Sequence, residues 1–250
     1  GGDGNDSYII DNINDSITEG ESKGTDTAYS TASTFTLDDN VENLILRGSS
    51  DIDGIGNGLA NVITGNSGAN TLTGDGGNDN LKGYGGDDIL NGGDGTDTAI
   101  FSAAANQIDL RITVSQNTGD GNDTLTSIEN VNAGGGDDTV YGNSEANFLS
   151  GRNGNDTLYG YEGNDTLNGG NGGDVMEGGD GNDYYYVNTS SDTVTEDPSK
   201  GTDTVFSSVT LTTPNNVENL TLLGSNPIDG VGNGLANTIS GNSGNNVLSG

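Results

Sequence analysis

A nine-residue phrase, Gly-Gly-x-Gly-x-Asp-x-apolar-x, recurs in register along this chain and restricts it to a stacked, repeating architecture. It is clearest at residues 74–82 (GDGGNDNLK), 83–91 (GYGGDDILN), 92–100 (GGDGTDTAI), 151–159 (GRNGNDTLY), 160–168 (GYEGNDTLN), 169–177 (GGNGGDVME) and 178–186 (GGDGNDYYY). Repeat starts at Gly56, Gly65, Gly74, Gly83 and Gly92 form a first array. Ala133, Gly142, Gly151, Gly160, Gly169 and Gly178 start a second, and Gly232 and Gly241 open a third. Position eight reads Ile63, Leu72, Leu81, Leu90, Ala99, then Val140, Leu149, Leu158, Leu167, Met176, Tyr185, then Ile239 and Leu248. An apolar residue every nine positions matches neither a helical stripe nor strand alternation. The spacing predicts one short strand per repeat, stacked into an all-β solenoid with a thin core.

Composition sets what such a stack must overcome. Only 28% of residues are apolar, Trp and Cys are absent, and 38 acids against 6 bases give a formal charge of −32. Those values border on intrinsic disorder, but the acids follow the period of the repeat instead of scattering. Collagen is excluded by 3 prolines and the absence of a three-residue glycine period. Two carboxylates about 4 Å apart repel by roughly 1 kcal/mol in water and about 4 kcal/mol at an effective dielectric near 20. A stack of acidic turns therefore requires a counter-charge.

The repeat supplies the means to bind one. Its glycines let the backbone turn sharply and expose carbonyl oxygens, and the Asp at position six adds an anionic oxygen. Oxygen-only ligands on a flexible loop suit a hard cation, calcium above all, whose binding energy becomes folding energy. The expectation is a calcium-dependent scaffold and not an enzyme. With no His and no Cys, zinc sites, Ser-His-Asp triads and thiol chemistry are excluded within this chain. A pair of carboxylates could serve a glycosidase, but nine tyrosines, four phenylalanines and no Trp offer sugars little stacking surface. No EF-hand loop and no Gly-Lys-Ser/Thr phosphate loop occurs. Six dispersed bases give nucleic acid no partner surface, and no signal peptide or membrane-spanning run is present.

A longer repeat lies over the short one. GGDGNDSYIIDNINDSITEGESKGTDTAYST from Gly1 resembles GGDGNDYYYVNTSSDTVTEDPSKGTDTVFSS from Gly178, and the stretch from Asn40 resembles that from Asn216. The organisation expected is an upstream repeat end (1–9), a β connector (10–55), the first array (56–100), a connector (101–132), the second array (133–186), a copy of the first connector (187–231) and the start of a third array (232–250). Both ends fall inside the pattern, so the chain is expected to be a window of a longer protein. Connector 101–132 holds a lone GDGND (Gly119–Asp123) and SIENV (Ser127–Val131), an echo of the two VENL segments. Acids outside the arrays, namely Asp15, Glu19, Asp26 and Glu42 with their counterparts Asp192, Glu196, Asp203 and Glu218, are expected at turn or solvated positions. Tyr184, Tyr185 and Tyr186 are expected to pack in a strand at an array end.

The tandem nonapeptides resemble the RTX (repeats-in-toxin, haemolysin-type) calcium-binding repeats of bacterial secreted proteins. That resemblance implies a parallel β-roll in which positions one to six turn, the last three form a strand, and two repeats complete a coil. Calcium then sits between loops 18 residues apart. By position this gives the pairs Asp79/Asp97, Asp138/Asp156, Asp156/Asp174 and Asp165/Asp183, and the mixed pairs Asn61/Asp79, Asn70/Asp88 and Asn147/Asp165. Carbonyls of Gly74, Gly76, Gly92, Gly151 and Gly169 would complete the shells, and Asp6 would need a partner outside this chain. Asn replaces Asp at Asn61, Asn70, Asn147, Asn237 and Asn246, which leaves two options: weaker ligation, or neutral Asn ladders that begin each array.

The family further implies export through a type I system, with folding outside the cell as part of an adhesin, surface-layer or toxin-like protein. Partners beyond calcium would be a cell-surface glycan or neighbouring domains of a longer chain. A calcium-dependent polysaccharide-binding module, like those attached to alginate epimerases, is the alternative. Ice binding through an outward Thr-x-Asn loop is disfavoured, because position three holds Gly, Asp, Ser, Glu or Asn.

Overall fold

The computed structural model describes residues 1–250 except Ser22 and Ala103. Among the described residues every regular element is a strand, so the all-β expectation holds. The chain forms two compact units, residues 1–102 with 112–130, and residues 103–111 with 131–250.

In the first unit, strands Ser7–Ile10, Thr27–Ser30, Asn43–Leu46, Val62–Thr64, Asn80–Lys82 and Thr98–Ile100 stack in parallel. A second parallel stack holds Thr34–Thr36, Asp53–Ile55, Thr71–Gly76, Ile89–Asp94 and Asn122–Thr126. Leu81 pairs with Ile63, and Leu90 with Leu72, so alternate repeats feed opposite sheets and two repeats make one coil. The inner faces meet at Gly54, where an added Cβ would lie 2.9 Å from Leu44 Cδ2 and 3.3 Å from Ile63 Cγ2. A larger residue there would force the sheets apart, since core side chains are already closely packed.

The second unit repeats this plan. Phe148–Asn153, Thr166–Asn171, Tyr184–Val187, Thr204–Ser207, Asn219–Leu222 and Thr238–Ser240 form one parallel stack. Gln107–Asp109, Thr139–Tyr141, Thr157–Glu162, Val175–Asp180 and Thr193–Thr195 form another. Position eight makes the core in both units: Ile63, Leu72, Leu81, Val140, Leu149, Leu158, Leu167, Met176 and Tyr185 are all fully buried.

Two details differ from the sequence-based expectation. Several strands run on through positions one to three, as in Thr71–Gly76 and Thr166–Asn171, so the tight turn shrinks to positions four to six. The reason is register: stacked loops keep pairing beyond the strand proper, with Asp75 opposite Gly93 and Gly76 opposite Asp94. The connectors also belong to the coil. Ala28 pairs with Leu44 and Leu44 with Ile63, which carries the ladder from the first connector into the first array. At position four of the last full repeat only glycine is possible: Gly181 sits at φ +147°, and a Cβ on it would overlap the Gly163 carbonyl oxygen.

Leu158 is 0% exposed between Val140 and Met176 on the same ladder. Leu158→Ala should lower stability by about 2–5 kcal/mol in denaturant unfolding of the calcium-loaded chain. A loss below about 1 kcal/mol would mean that the ladder is not the core.

Candidate metal sites

Each strand begins just after a position-six residue, so stacking the strands aligns those residues in columns along the edges of the coil. One bond repeats down every column: the position-six N–H donates to Oδ1 of the position-six side chain in the next coil. In the first unit Asn61 donates to Asp79 (2.7 Å), Asp79 to Asp97 (2.7 Å), and Asn70 to Asp88 (2.8 Å). In the second unit Asp138 donates to Asp156 (2.9 Å), Asp156 to Asp174 (2.8 Å), Asn147 to Asp165 (2.8 Å) and Asp165 to Asp183 (2.7 Å). All seven residue pairs drawn 18 apart from the sequence are therefore neighbours.

Using Oδ1 in this way leaves the other oxygen over. Among the described residues, Oδ2 of Asp79, Asp88, Asp97, Asp138, Asp156, Asp165, Asp174 and Asp183 is buried and has no hydrogen-bond partner. Burial without a partner penalises the charged form. It pushes the carboxyls of Asp79, Asp88 and Asp156 up to about 6 and those of Asp138 and Asp165 up to about 7, with like charge from the next Asp adding to the shift.

The lone oxygens face the space left by a missing side chain. A Cβ on Gly74 would overlap both Asp79 Oδ2 and the Gly92 carbonyl oxygen, and one on Gly92 would overlap Asp97 Oδ2 and the Ser127 carbonyl oxygen. Gly151 and Gly169 likewise lie against Oδ2 of Asp156 and Asp174. Gly76 is different, ending a strand with no atom closer than 3.9 Å to a Cβ placed on it. Anionic and carbonyl oxygens converging where no side chain intrudes are the donor set of a hard cation. The residues fit calcium.

The Asn repeats behave differently. Oδ1 of Asn61, Asn70 and Asn147 accepts the N–H of position two of its own repeat, from Asn57, Asn66 and Asn143, each at 2.8 Å. Their amide nitrogens donate in turn, Asn61 to the Glu42 carbonyl (3.2 Å) and Asn70 to the Ile52 carbonyl (2.8 Å). An Asn column is thus satisfied by protein groups alone, because an amide brings a donor that a carboxylate lacks.

The columns also run past the arrays, which corrects two sequence-based expectations. Asp6 has its partner inside the chain, donating to Asp26 Oδ1 at 2.7 Å. Asp26, Glu196 and Asp203 are buried rather than solvated, because they occupy or flank the position-six slot of connector coils. Glu19, Glu42, Asp192 and Glu218 are partly covered, and the last three each accept a backbone N–H from the neighbouring column residue, Asp26, Asp174 and Asp203. Only Asp15 is a plain exposed turn residue, accepting the N–H groups of Asp11 and Asn12. The lone GDGND is no exception either, since Asp88 donates to Asp123 Oδ1 (2.8 Å) and Asp97 to Glu129 Oε2 (2.8 Å). A signal for this was present in the sequence: GTDTA at residues 24–28 repeats GTDTA at 95–99, positions four to eight of a nonapeptide.

The profile of the RTX calcium-binding nonapeptide repeat matches in four copies, at residues 55–99, 132–167, 159–194 and 231–250, just over half of the chain. The chain belongs to the RTX calcium-binding repeat family. No curated protein matches it. RTX repeats are structural rather than catalytic, and the buried, unpartnered carboxylates of this chain agree with the calcium binding that defines them.

A pH dependence follows for the metal-free RTX coil. In an open chain Asp titrates near 3.9, whereas the folded values are about 6 to 7. A raised acid binds its proton more tightly in the fold, so the associated stability is complete below about pH 4 and is lost as pH rises through 7. In chelator, β circular dichroism should therefore increase as pH falls from 7.5 to 4.5. A signal that is flat or falls on acidification would contradict the burial of lone oxygens.

Proposed function

We propose that this chain is a calcium-loaded β-roll segment of a larger secreted bacterial protein, of adhesin, surface-layer or toxin-like type, that folds on meeting calcium outside the cell. The observation carrying this reading is the set of eight buried Asp Oδ2 atoms that, among the described residues, have no hydrogen-bond partner. Asp79, Asp88, Asp97, Asp138, Asp156, Asp165, Asp174 and Asp183 would supply the carboxylate ligands, with Asp6 at the head of its own column. Carbonyls of Gly74, Gly92, Gly151 and Gly169 would lie beside them, and Gly76 would contribute from its strand end. Asn61, Asn70 and Asn147 serve on this reading as neutral first rungs, because their amides are already bonded.

The logic of a switch follows from charge. Where calcium is scarce, 38 acids keep the chain open and threadable through an export channel. Extracellular calcium modules bind at about 10⁻⁴–10⁻³ M, and a ligand that binds only the folded form pulls the equilibrium toward it.

A second reading, a calcium-dependent polysaccharide-binding module, draws on one surface feature of the second unit. Tyr141 and Tyr159 stack with centroids 5.1 Å apart, and the Arg111 guanidinium sits 4.1 Å from the Tyr161 ring centroid. Arg111, Tyr159 and Tyr161 border a cleft of about 510 Å³. Aromatic faces suit a sugar ring, but Glu162, Glu177, Asp180 and Asp197 line the same cleft, so an acidic sugar would need calcium as a bridge; pull-down of acidic glycans with and without calcium tests it.

Two measurements test the leading reading. A calcium titration followed by circular dichroism should show a β signal that is absent in chelator at pH 7.5 and complete with calcium; full β signal in chelator would end the switch. Asp156→Asn should lower the calcium-induced rise in melting temperature, whereas Asp39→Asn, on an exposed turn, should leave it unchanged. Equal effects would refute the assigned ligands.

A further inference from the structure

The strongest unexplained polar cluster lies where the second array meets the connector that follows it. Asp183 is position six of the last repeat, Glu196 follows strand Thr193–Thr195, and Asp203 precedes strand Thr204–Ser207. One carboxylate oxygen from each lies within 4.8 Å of the others. All three side chains are shut off from solvent, with Asp183 0%, Glu196 5% and Asp203 1% exposed.

The hydrogen bonds around the cluster do not use up its oxygens. Asp183 N–H donates to Asp203 Oδ1 (2.9 Å), and the Tyr185 hydroxyl donates to Glu196 Oε1. Among the described residues, Glu196 Oε2 and Asp183 Oδ2 remain buried with no partner. Both the Tyr185 hydroxyl and Asp183 Oδ2 press on the space beside Gly178, where a Cβ would overlap them. The backbone of Glu196 is pinned as well, because Asn216 Nδ2 donates to its carbonyl at 2.7 Å.

The same cluster is built a second time, in the other unit. Asp6, Glu19 and Asp26 lie within 4.8 Å of one another. Asp6 N–H donates to Asp26 Oδ1 (2.7 Å), Tyr8 donates to Glu19, and Asn40 Nδ2 donates to the Glu19 carbonyl (3.2 Å). The Asp residues are 20 apart and the Tyr–Glu residues 11 apart in both copies. Asn40 and Asn216 even share the same left-handed φ of 64°. The two copies come from similar stretches of sequence and keep the same acids, tyrosine and asparagine together, with the first copy less buried and its Asp6 Oδ2 accepting the Gly2 N–H at 3.0 Å.

We propose that Asp183, Glu196 and Asp203 form a cation site of their own, duplicated by Asp6, Glu19 and Asp26, in which a connector Glu contributes beside the position-six acids. Three carboxylates and no nitrogen or sulfur select a hard divalent cation of the calcium class. Tyr185 and Tyr8 are positioning residues that orient the Glu. The site ties the first connector coil to the array before it, so the connector orders only when the junction is charged with metal. It goes beyond the nonapeptide reading, since Glu196 and Glu19 occupy no position of that repeat.

The test uses the full chain, with Glu196→Gln, Glu19→Gln and Tyr185→Phe. Native mass spectrometry at saturating calcium should show each Glu variant binding one ion fewer than the parent, with β circular dichroism retained. Terbium(III), excited through tyrosine, should lose the emission component sensitised by Tyr185 in Glu196→Gln. Tyr185→Phe should bind calcium about 10–100-fold more weakly at this site, as for other outer-shell partners. Unchanged calcium counts in both Glu variants would overturn the proposal and leave an acid–phenol hydrogen bond as the whole explanation. If Glu196→Gln fails to fold, Glu19→Gln and Tyr185→Phe decide by the same readouts. Asp156→Asn separates the two readings: loss there with none in the Glu variants sinks this site alone, and the converse sinks the nonapeptide ligands alone.

Discussion

One hydrogen bond, repeated from coil to coil, organises this protein. Each position-six N–H reaches the carboxylate of the next coil, as Asp156 reaches Asp174 and Asp165 reaches Asp183. The bond sets the axial spacing and locks the loops in register. It also commits one oxygen of each position-six Asp in the two arrays and, among the described residues, leaves the other buried and unpaired. A fold that works this way stores acidity in its interior, and an unpaired buried carboxylate is costly. Glycine at position one keeps the space beside the lone oxygen clear in every array repeat that has one except that of Asp138, where Ala133 stands instead, so stacking and cation binding are two consequences of the same geometry.

The Asn repeats illuminate the same constraint by relieving it. Asn61 and Asn70 keep the backbone-to-side-chain bond along the column, donating to Asp79 and Asp88, while their own amides are saturated within the protein. An array can therefore begin with rungs that need no counter-charge and proceed to rungs that do. Thr118 plays a comparable part at Asp123, where its hydroxyl bonds the oxygen that would otherwise stand alone. Whether a given rung calls for a cation is decided by whether the protein itself offers a donor.

The connectors are coils under another sequence. GTD at residues 24–26 and 201–203 brings an Asp to the column, and the VEN segments bring Glu42 and Glu218, whose longer side chains accept the N–H of Asp26 and Asp203. Coil length varies there, with partners 20 and then 16 residues apart in the first connector, and 20 and then 15 in its copy, instead of 18. The ladder survives because the apolar residues Ala28, Leu44, Val205 and Leu220 stay fully buried on it. Glu19 and Glu196 enter through the slack in those longer coils.

The sequence alone determined the repeat length and the inward position eight, because a strict period asks for short strands that stack and bury one side chain per rung; the 18-residue neighbours came from the resemblance to RTX repeats. It also determined the acidic, oxygen-rich character of the turns. Tertiary structure decided which acids share a column across coils of unequal length, and so placed Asp26, Glu196 and Asp203 in the interior, against the solvated reading. It alone decided which oxygen of each carboxylate is taken and which is left. A period read along the chain says which residues recur, whereas partner choice depends on the direction of an N–H bond and the reach of a side chain, and those exist only once the coils are stacked.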